Sequence, residues 1–440
     1  MANRIENPFP IFYSFLTPLL FTKQRSAERR LNVSPVPGSG AGDTGGEGGA
    51  RVRPSANVIN QIDSPITSAY ALLPLRGGQR ELLDLAQAAP AYPAAPSVIE
   101  HVVAVARHPH GGDYVDVPGL TALRQAFAAE LSHDYGGCVS EQQVLITAGC
   151  NQAFCLVAST LAEPGDEIIL PLPFYFNHDM WLRLARISPV YAEPGPGLVP
   201  TADAVRALIT PRTRAILLVT PGNPSGVTIG PEVIAAFAEV ARQHQIALIL
   251  DETYRSFRGT DAPAHALFAE PGWDDTLVSL HSFSKDFAIP GYRVGAVATS
   301  PALITEVMKL LDCVAVSAPR IGQEAALAGL MTARPWRAER ATELARKREW
   351  FTEVMARRPG GFELVSAGGF FGWLRHPFAG RPTADVVRDL VVRRDLLVIP
   401  GTAFLPDDRR MMRVSYGNLE HTQIAEFAAR LDDGPLGPSQ

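Results

Sequence analysis

The stretch TLVSLHSFSKDFAIPGYRVG, residues 276–295, joins a short apolar run to a serine-rich turn, a lysine and an arginine. The run Thr276–Leu280 combines β-forming and apolar residues, which predicts a buried strand. A lone lysine is usually solvated. Lys285 instead follows the strand directly, and Arg293 comes eight positions later. Because open α/β sheets bind ligands beyond the carboxyl ends of their strands, this stretch predicts a ligand site.

Similar apolar runs lie upstream of this stretch, at Gln143–Thr147, Glu167–Leu170, Ala215–Thr220 and Ile246–Leu250. From about residue 96 onward, longer segments of helical period separate them. That alternation is typical of an α/β domain with a largely parallel, buried sheet. The runs are followed by AGCNQAF (148–154), PLPFYFNH (171–178), PGNPSG (221–226) and DETY (251–254).

The residues after these runs suit one kind of ligand. The turn at Gly149 opens a helical segment, whose free N–H groups can hold a phosphate. Asp251 ends a buried run, where a carboxylate is costly unless it meets a cation or hydrogen bonds. With Lys285, Arg293 and the aromatic cluster 174–176, these groups match a planar cationic ring that bears a phosphate and an aldehyde. The sequence therefore predicts pyridoxal 5′-phosphate as the cofactor.

Composition narrows the class of protein. The chain has 440 residues, 46% of them hydrophobic, which is enough for one or two large domains. The 40 basic and 45 acidic residues give a net charge of −5, which argues against a nucleic-acid partner. The four cysteines have neither zinc spacing nor the number of a disulfide framework. We expect no metal site and a reducing, cytoplasmic location.

The N-terminal region differs from the rest of the chain. The apolar run Ile11–Phe21 has basic residues after it rather than before it, unlike a secretory signal. It is also far shorter than the roughly 20 residues needed to span a bilayer. Gly38–Gly49 is low-complexity linker. Residues 1–57 are thus predicted to be a disordered extension with a glycine-rich linker, and no membrane association is expected.

Eight motifs, in order, carry a family resemblance. They are YVDVPGLTALRQA (114–126), TAGCNQA (147–153), PFYFNH (173–178), TPGNPSG (220–226), ILDETY (249–254), SFSKDFAIPGYRVG (282–295), VIPGTAF (398–404) and MRVSYG (412–417). Over about residues 80–430 the chain resembles the fold-type I pyridoxal-phosphate enzymes, specifically the class I/II aminotransferases related to aspartate aminotransferase.

The resemblance implies an architecture and a reaction. A large domain, residues 96–310, would hold a mostly parallel seven-stranded sheet flanked by helices. A smaller α/β domain would combine residues 58–95 and 311–435. The enzyme would move the amino group of an L-amino acid to a 2-oxo acid by a ping-pong mechanism. Its functional unit would be a homodimer with shared active sites.

The resemblance also implies roles for individual residues. Lys285 corresponds to the lysine that binds the cofactor aldehyde and, once released, carries the substrate α-proton. Asp251 corresponds to the carboxylate that keeps the ring nitrogen protonated. Tyr254 and Asn223 correspond to the pair that hydrogen-bonds the phenolate oxygen, although Asn223 could be only a turn residue. Lys285, Asp251 and Tyr254 are the implied catalytic residues.

The remaining implied roles concern binding. The cofactor phosphate is assigned to Gly149, Cys150, Asn151, Ser282 and Arg293. Tyr175 would stack on the ring, and Arg413 would bind the substrate α-carboxylate. Ala88 replaces a glycine that the family commonly has near that carboxylate. Tyr114 would cross the dimer interface to the partner's phosphate.

Two alternatives stay open at this point. Enzymes with the same residue set also perform β-elimination, decarboxylation or oxidation of amino acids, and motifs do not separate these reactions. A regulatory protein that senses the cofactor is a remote alternative, because residues 1–57 show no helix-turn-helix pattern. The identity of the amino acid is left open.

Overall fold

The structure, a computed structural model, describes residues 52–260, 262–434 and 436. The α-helices of these residues are α1 (Ala56–Ile59), α2 (Pro65–Tyr70), α3 (Pro96–Arg107), α4 (Thr121–Tyr135), α5 (Cys150–Leu161), α6 (Phe176–Leu184), α7 (Ala202–Arg206), α8 (Pro231–His244), α9 (Phe283–Asp286), α10 (Pro301–Ala315), α11 (Arg320–Thr332), α12 (Arg334–Ala356), α13 (Thr383–Arg394) and α14 (His421–Leu431). The strands are β1 (Leu83–Asp84), β2 (Val144–Thr147), β3 (Glu167–Pro171), β4 (Ser188–Ala192), β5 (Thr213–Val219), β6 (Ala247–Asp251), β7 (Leu277–Ser282), β8 (Gly295–Ala298), β9 (Glu363–Gly368), β10 (Phe371–Arg375), β11 (Leu396–Leu397), β12 (Ile399–Pro400) and β13 (Met411–Val414).

A seven-stranded sheet forms the centre, in the order β2-β8-β7-β6-β5-β3-β4. Strand β8 runs antiparallel to both neighbours, and the other pairings are parallel. The prediction of an α/β fold with a mostly parallel seven-stranded sheet is confirmed. All five predicted strands are present, with ends within two residues of the predicted ones.

The central strands are apolar throughout because both faces of the sheet are covered by hydrophobic clusters. In β5, Ile216 and Leu218 pack into one hydrophobic cluster, whereas Ala215 and Leu217 pack into another on the opposite face. Successive side chains of a strand point to opposite faces. Both faces are therefore covered, and no polar alternation remains in the sequence.

Strands β4 and β8 were not predicted. Strand β4 is an edge strand, with Ser188 exposed, so its pattern is not that of a buried run. Strand β8 is only four residues long, and three of them, Gly295, Ala296 and Ala298, carry little β propensity, which leaves Val297 as its single β former. Its antiparallel pairing depends on neighbours distant in sequence.

Two smaller sheets complete the fold. The antiparallel order β12-β13-β10-β9 forms one, and β1 pairs with β11 in the other, which joins the two predicted small-domain segments. Helix α11 packs against α3 and α4, on the side of the central sheet. The division into residues 96–310 against 58–95 and 311–435 stays a prediction.

The predicted extension lies almost wholly outside the described residues. Of residues 1–57, the structure describes only 52–57, where α1 begins at Ala56. Within the described part of the chain, no helix is long and apolar enough to cross a membrane.

Candidate active site

A cavity of about 400 Å³ lies at the carboxyl ends of the central strands. It is lined by Ile66, Gln87, Ala88, Cys150, Asn151, Tyr175, Phe176, Val219, Asn223, Asp251, Thr253, Tyr254, Ser282, Ser284, Lys285, Pro290, Arg293 and Arg413. The structure thus brings together every predicted site residue except two. Gly149 lies just behind the lining, and Tyr114 is 85% exposed and lies outside the cavity of its own chain.

Lys285 projects from α9, the short helix that begins where β7 ends. Ser282 caps this helix, because its Oγ accepts a 3.2 Å hydrogen bond from the Ser284 N–H. Lys285 Nζ donates a 2.6 Å hydrogen bond to the carbonyl oxygen of Ala88. Burial, with the nearby charges of Arg293 and Arg413, lowers the pKa of Lys285 to about 8. A much larger fraction of this amine is therefore neutral, and nucleophilic, than of an ordinary lysine.

Asp251 is the last residue of β6 and is 3% exposed. Its Oδ2 lies 3.3 Å from His178 Nε2, and its Oδ1 accepts a 2.9 Å hydrogen bond from the Thr253 N–H. Burial alone raises the pKa of Asp251, but His178 and Thr253 outweigh burial and lower it. The carboxylate thus stays ionised beside the cavity and can balance a positive charge there.

An anion-binding corner lies at the first turn of α5. Gly149 precedes the helix with φ of 87°, and a Cβ at this position would overlap the guanidinium of Arg293. Arg293 itself is held by a 2.9 Å hydrogen bond from Nη1 to the carbonyl oxygen of Pro290. A helix N-terminus and a guanidinium at one point are well suited to a phosphate.

Arg413, on β13, is 2% exposed and lies between the rings of Phe371 and Phe404, 5.0 and 5.1 Å from their centres. Its Nη1 donates a 2.8 Å hydrogen bond to Asn223 Oδ1, and its Nη2 donates to the Ala86 carbonyl. Its Nε has no partner. No ion pair among the described residues includes it, so this buried cation can bind a carboxylate.

The tyrosines and the cysteine of the cavity stay protonated. Burial raises the pKa of Tyr254 and of Tyr175. Burial, with the charge of Asp251, also raises the pKa of the Cys150 thiol. Cys150 therefore packs beside the site rather than acting as a thiolate. The Tyr175 hydroxyl accepts a 2.9 Å hydrogen bond from Asn177 Nδ2, which orients the ring.

Several residues of the site were not found by sequence reasoning. Thr253 supports Asp251, and the spacing Asp-x-Thr after a strand is a signal that could have been read. Phe371 and Phe404 flank Arg413 from other parts of the chain; Phe404 ends the VIPGTAF motif but was given no role, and no motif includes Phe371. Ile66 and Gln87 also line the cavity, although both precede the first strand of the central sheet in the chain.

Comparison with known proteins agrees with this geometry. Residues 80–431 match the model of the family "Aminotransferase class I and II". An aromatic aminotransferase of Arabidopsis thaliana is 30% identical over 80% of this chain and 89% of its own length. An arginine–pyruvate transaminase of Pseudomonas aeruginosa is 33% identical over 67% of this chain and 75% of its own. Aspartate aminotransferase of Thermus thermophilus, solved with maleate, superimposes with a TM-score of 0.78 at 25% identity, covering 87% of this chain and 99% of that one.

The cavity contains a buried lysine, a carboxylate and two arginines, and the family match identifies the chain as an enzyme. The chain is a member of the class I and II aminotransferase family, and its activity is that of a transaminase. The family predicted from the eight motifs is thus confirmed.

Proposed function

We propose that the transaminase binds pyridoxal 5′-phosphate in the 400 Å³ cavity and alternates between an amino-acid and a 2-oxo-acid substrate. The observation that carries the proposal is that Lys285 and Asp251 line the same cavity as Arg293 and the first turn of α5. When bound, the cofactor supplies an aldehyde for the amino group and a ring that accepts electrons.

The residues of the chain fit each part of this cofactor. Arg293, the N–H groups at the start of α5 and Ser282 would hold the phosphate. Asp251 would hold a proton on the ring nitrogen, since its pKa is lowered and His178 supports it. Tyr254 and Asn223 would donate to the ring oxygen.

Lys285 would do the proton transfer at the substrate. Its amine, with a pKa near 8, can take the α-proton as a base and return it to the other carbon. Arg413 would bind the α-carboxylate and so orient the Cα–H bond toward Lys285. The buried Nε without a partner supports this assignment, because a buried guanidinium needs acceptors.

The cavity also favours a class of amino acid. Its cations are Lys285, Arg293 and Arg413, and each already has a proposed role. The lining residues without a proposed role include Ile66, Phe176 and the neutral Gln87 and Ser284. These residues support donors with uncharged, largely apolar side chains, because the described residues that line the cavity include no further cation for a second carboxylate.

We also propose a homodimer in the cytoplasm. Tyr114 is 85% exposed, which suits a residue that would reach the site of a partner subunit. All four cysteines are free, which suits a reducing compartment.

The reaction is tested with the cofactor-loaded protein. An amino acid added without an oxo acid should convert bound cofactor to pyridoxamine 5′-phosphate in a one-to-one ratio. Borohydride reduction before substrate should fix the cofactor on the peptide that contains Lys285, and Lys285→Ala should show neither result. Release of ammonia, carbon dioxide or peroxide without pyridoxamine phosphate would instead establish elimination, decarboxylation or oxidation.

The substrate class is tested with a donor panel. Leucine, methionine and phenylalanine should give kcat/KM values at least about tenfold above aspartate and glutamate, since an unpaired carboxylate is costly to bury. Ile66→Arg should reduce that preference, and Ile62→Arg, at a residue 52% exposed, is the matched control. Faster turnover of aspartate by the wild-type enzyme would overturn this assignment without affecting the reaction type.

A further inference from the structure

A buried cluster of four charges lies behind the active site. It contains Arg255, Arg337, Glu130 and Asp286, with side chains between 1 and 9% exposed. Arg337 binds Glu130 through two hydrogen bonds of 2.9 Å, and Arg255 binds the same carboxylate. Two positive and two negative groups make the cluster neutral as a whole.

Glu130 is the well-satisfied anion of this cluster. Burial raises the pKa of Glu130, but the two guanidinium groups outweigh burial and lower it to about 2. Asp286 is different. Its Oδ2 lies 3.6 Å from Arg255 Nε and 3.8 Å from Arg337 Nη1, and neither of its oxygens accepts a hydrogen bond. The attraction on Asp286 is therefore ionic. Burial raises the pKa of Asp286, although Arg255 and Arg337 oppose that rise, and the ionised carboxylate balances the second guanidinium group of the cluster.

The members of the cluster adjoin active-site residues in the chain. Asp286 directly follows Lys285 on α9, and Arg255 directly follows Tyr254. Arg337, near the start of α12, also covers the ring of Phe287, with its guanidinium carbon 5.5 Å from the ring centre. The cluster therefore anchors the backbone next to Lys285 and next to Tyr254, the two cavity residues that its members follow in the chain.

We infer that Asp286 is a positioning residue: its ion pairs with Arg255 and Arg337 fix the turn of α9 that aims Lys285 at the reacting carbon. This role rests on the proposed function of Lys285. A buried charge cluster whose members come from α4, α9, α12 and the loop after β6 resists displacement of any one of them, because each movement exposes an unpaired charge. Loss of the Asp286 charge should therefore affect proton transfer more than substrate binding.

The experiment compares Asp286→Asn with Asp134→Asn in the cofactor-loaded enzyme. Asp134 contacts the same Arg255 at 3.2 Å, but its side chain is 26% exposed, at the rim of the cluster. Asp286→Asn should keep its cofactor content and change KM less than about twofold, while kcat falls about 10- to 100-fold. Asp134→Asn should retain wild-type kcat.

A spectroscopic measurement shows whether Asp286 positions Lys285 or only stabilises the folded protein. The visible absorbance of the bound cofactor reports the proton near Lys285. The other charged residues of the cavity are Arg293, Arg413 and Asp251. In Asp286→Asn the titration midpoint of the absorbance should move to lower pH, because Arg255 and Arg337 are then less compensated. The double variant Asp286→Asn/Arg337→Gln restores neutrality and should recover most of the midpoint and part of kcat.

Two results would overturn the inference. One is wild-type kcat and midpoint in Asp286→Asn. The other is a lower melting temperature as the sole change. If Asp286→Asn does not fold, Arg337→Gln removes one of the two ion pairs of Asp286, and unchanged kcat and midpoint in that variant would overturn the inference equally. Failure of the proposed function is separate, since the wild-type enzyme would then show no cofactor bound through Lys285.

Discussion

Arg413 Nη1 donates a 2.8 Å hydrogen bond to Oδ1 of Asn223. The first residue belongs to the small antiparallel sheet and the second to the turn after β5, so the bond closes the cavity between two sheets. It also orients the one buried guanidinium group in the cavity whose Nε lacks an acceptor.

Asn223→Ala should raise the KM of both the amino acid and the oxo acid about tenfold, because a charge-assisted hydrogen bond that orients Arg413 is lost. The absorbance of the bound cofactor should change as well, because Asn223 is also proposed to donate to its ring oxygen. Steady-state kinetics with each substrate varied measures the effect. Ser366→Ala is the control, since its hydroxyl contacts the same turn by a 2.7 Å hydrogen bond to the Ser225 carbonyl but does not line the cavity. Unchanged KM in Asn223→Ala would show that Arg413 is oriented without it.

Asp251→Ala should leave the cofactor bound and reduce transamination by at least about 100-fold, since no carboxylate then keeps the ring nitrogen protonated. His178→Asn should have a smaller effect in the same direction, because the pKa of Asp251 rises when its neighbour at 3.3 Å is lost. Cofactor absorbance and initial rates measure both. Near-normal activity of Asp251→Ala would exclude the proposed role.

The apoenzyme should take up pyridoxal 5′-phosphate with a rate that rises with pH and is half-maximal near pH 8. The neutral amine of Lys285 is the reactive form, and its pKa is lowered to about 8 by burial and by Arg293 and Arg413. Stopped-flow absorbance across pH 6–10 checks this. A rate that keeps rising toward pH 10 would mean that the amine titrates like an exposed lysine.

Gly149→Ala should weaken pyridoxal 5′-phosphate binding about 10- to 100-fold, because the added methyl group displaces Arg293 from the start of α5. Pyridoxal, which lacks the phosphate, should bind with little change. Gly165→Ala is the matched control: it has a similar φ of 96°, but a Cβ there meets nothing within 4 Å. Equal losses for both ligands in Gly149→Ala would place the phosphate elsewhere.

Stability should fall in acid in two stages. Burial lowers the pKa of His281 to about 4. Between about pH 6.5 and pH 4 the imidazole is therefore protonated in the unfolded chain but neutral in the folded chain. The free energy of unfolding falls as the pH falls through that range. Glu252 accepts hydrogen bonds from Tyr135 and Ser279, of 2.6 and 2.8 Å. Burial raises the pKa of Glu252, but His265, His281 and the Tyr135 hydroxyl lower it to about 2, so the contribution of Glu252 is present above about pH 4.5 and is lost toward pH 2.

Glu252→Gln should remove about 3 kcal/mol of the acid-dependent stability between pH 7 and pH 2, as the shift of its pKa implies. Denaturant unfolding at several pH values measures it. Glu306→Gln, at an exposed pair with Lys309, should leave the pH dependence unchanged. An equal acid slope in Glu252→Gln and the wild-type enzyme would contradict the prediction.

Much of the central fold could be predicted from the sequence. Strands such as β5 and β6 are short apolar runs because both of their faces are covered, and a run bounded by turns is a local property. The end of each strand is equally local. Asp251 and Lys285 could therefore be assigned to one edge of the sheet from the parallel arrangement alone.

Strand β8 and the two phenylalanines that flank Arg413 could not be predicted from the sequence. The pairing of β8 with β2 and β7 joins residues more than ten positions apart, and a four-residue strand with one β former, Val297, gives too weak a local signal. Phe371 becomes a neighbour of Arg413 only when β10 pairs with β13, and Phe404, which follows β12, only when β12 pairs with β13.

The sequence by itself determined the sheet, its ligand-binding edge and the residue types at that edge, since hydrophobic period and turn chemistry act over a few residues. Only the tertiary structure determined the protonation states of those residues and the directions in which their side chains point. The pKa of Lys285 near 8 and the paired charge of Asp286 both depend on burial and on cations from distant segments. Electrostatic energy depends on distance in space and on exclusion of water, and neither follows from position along the chain.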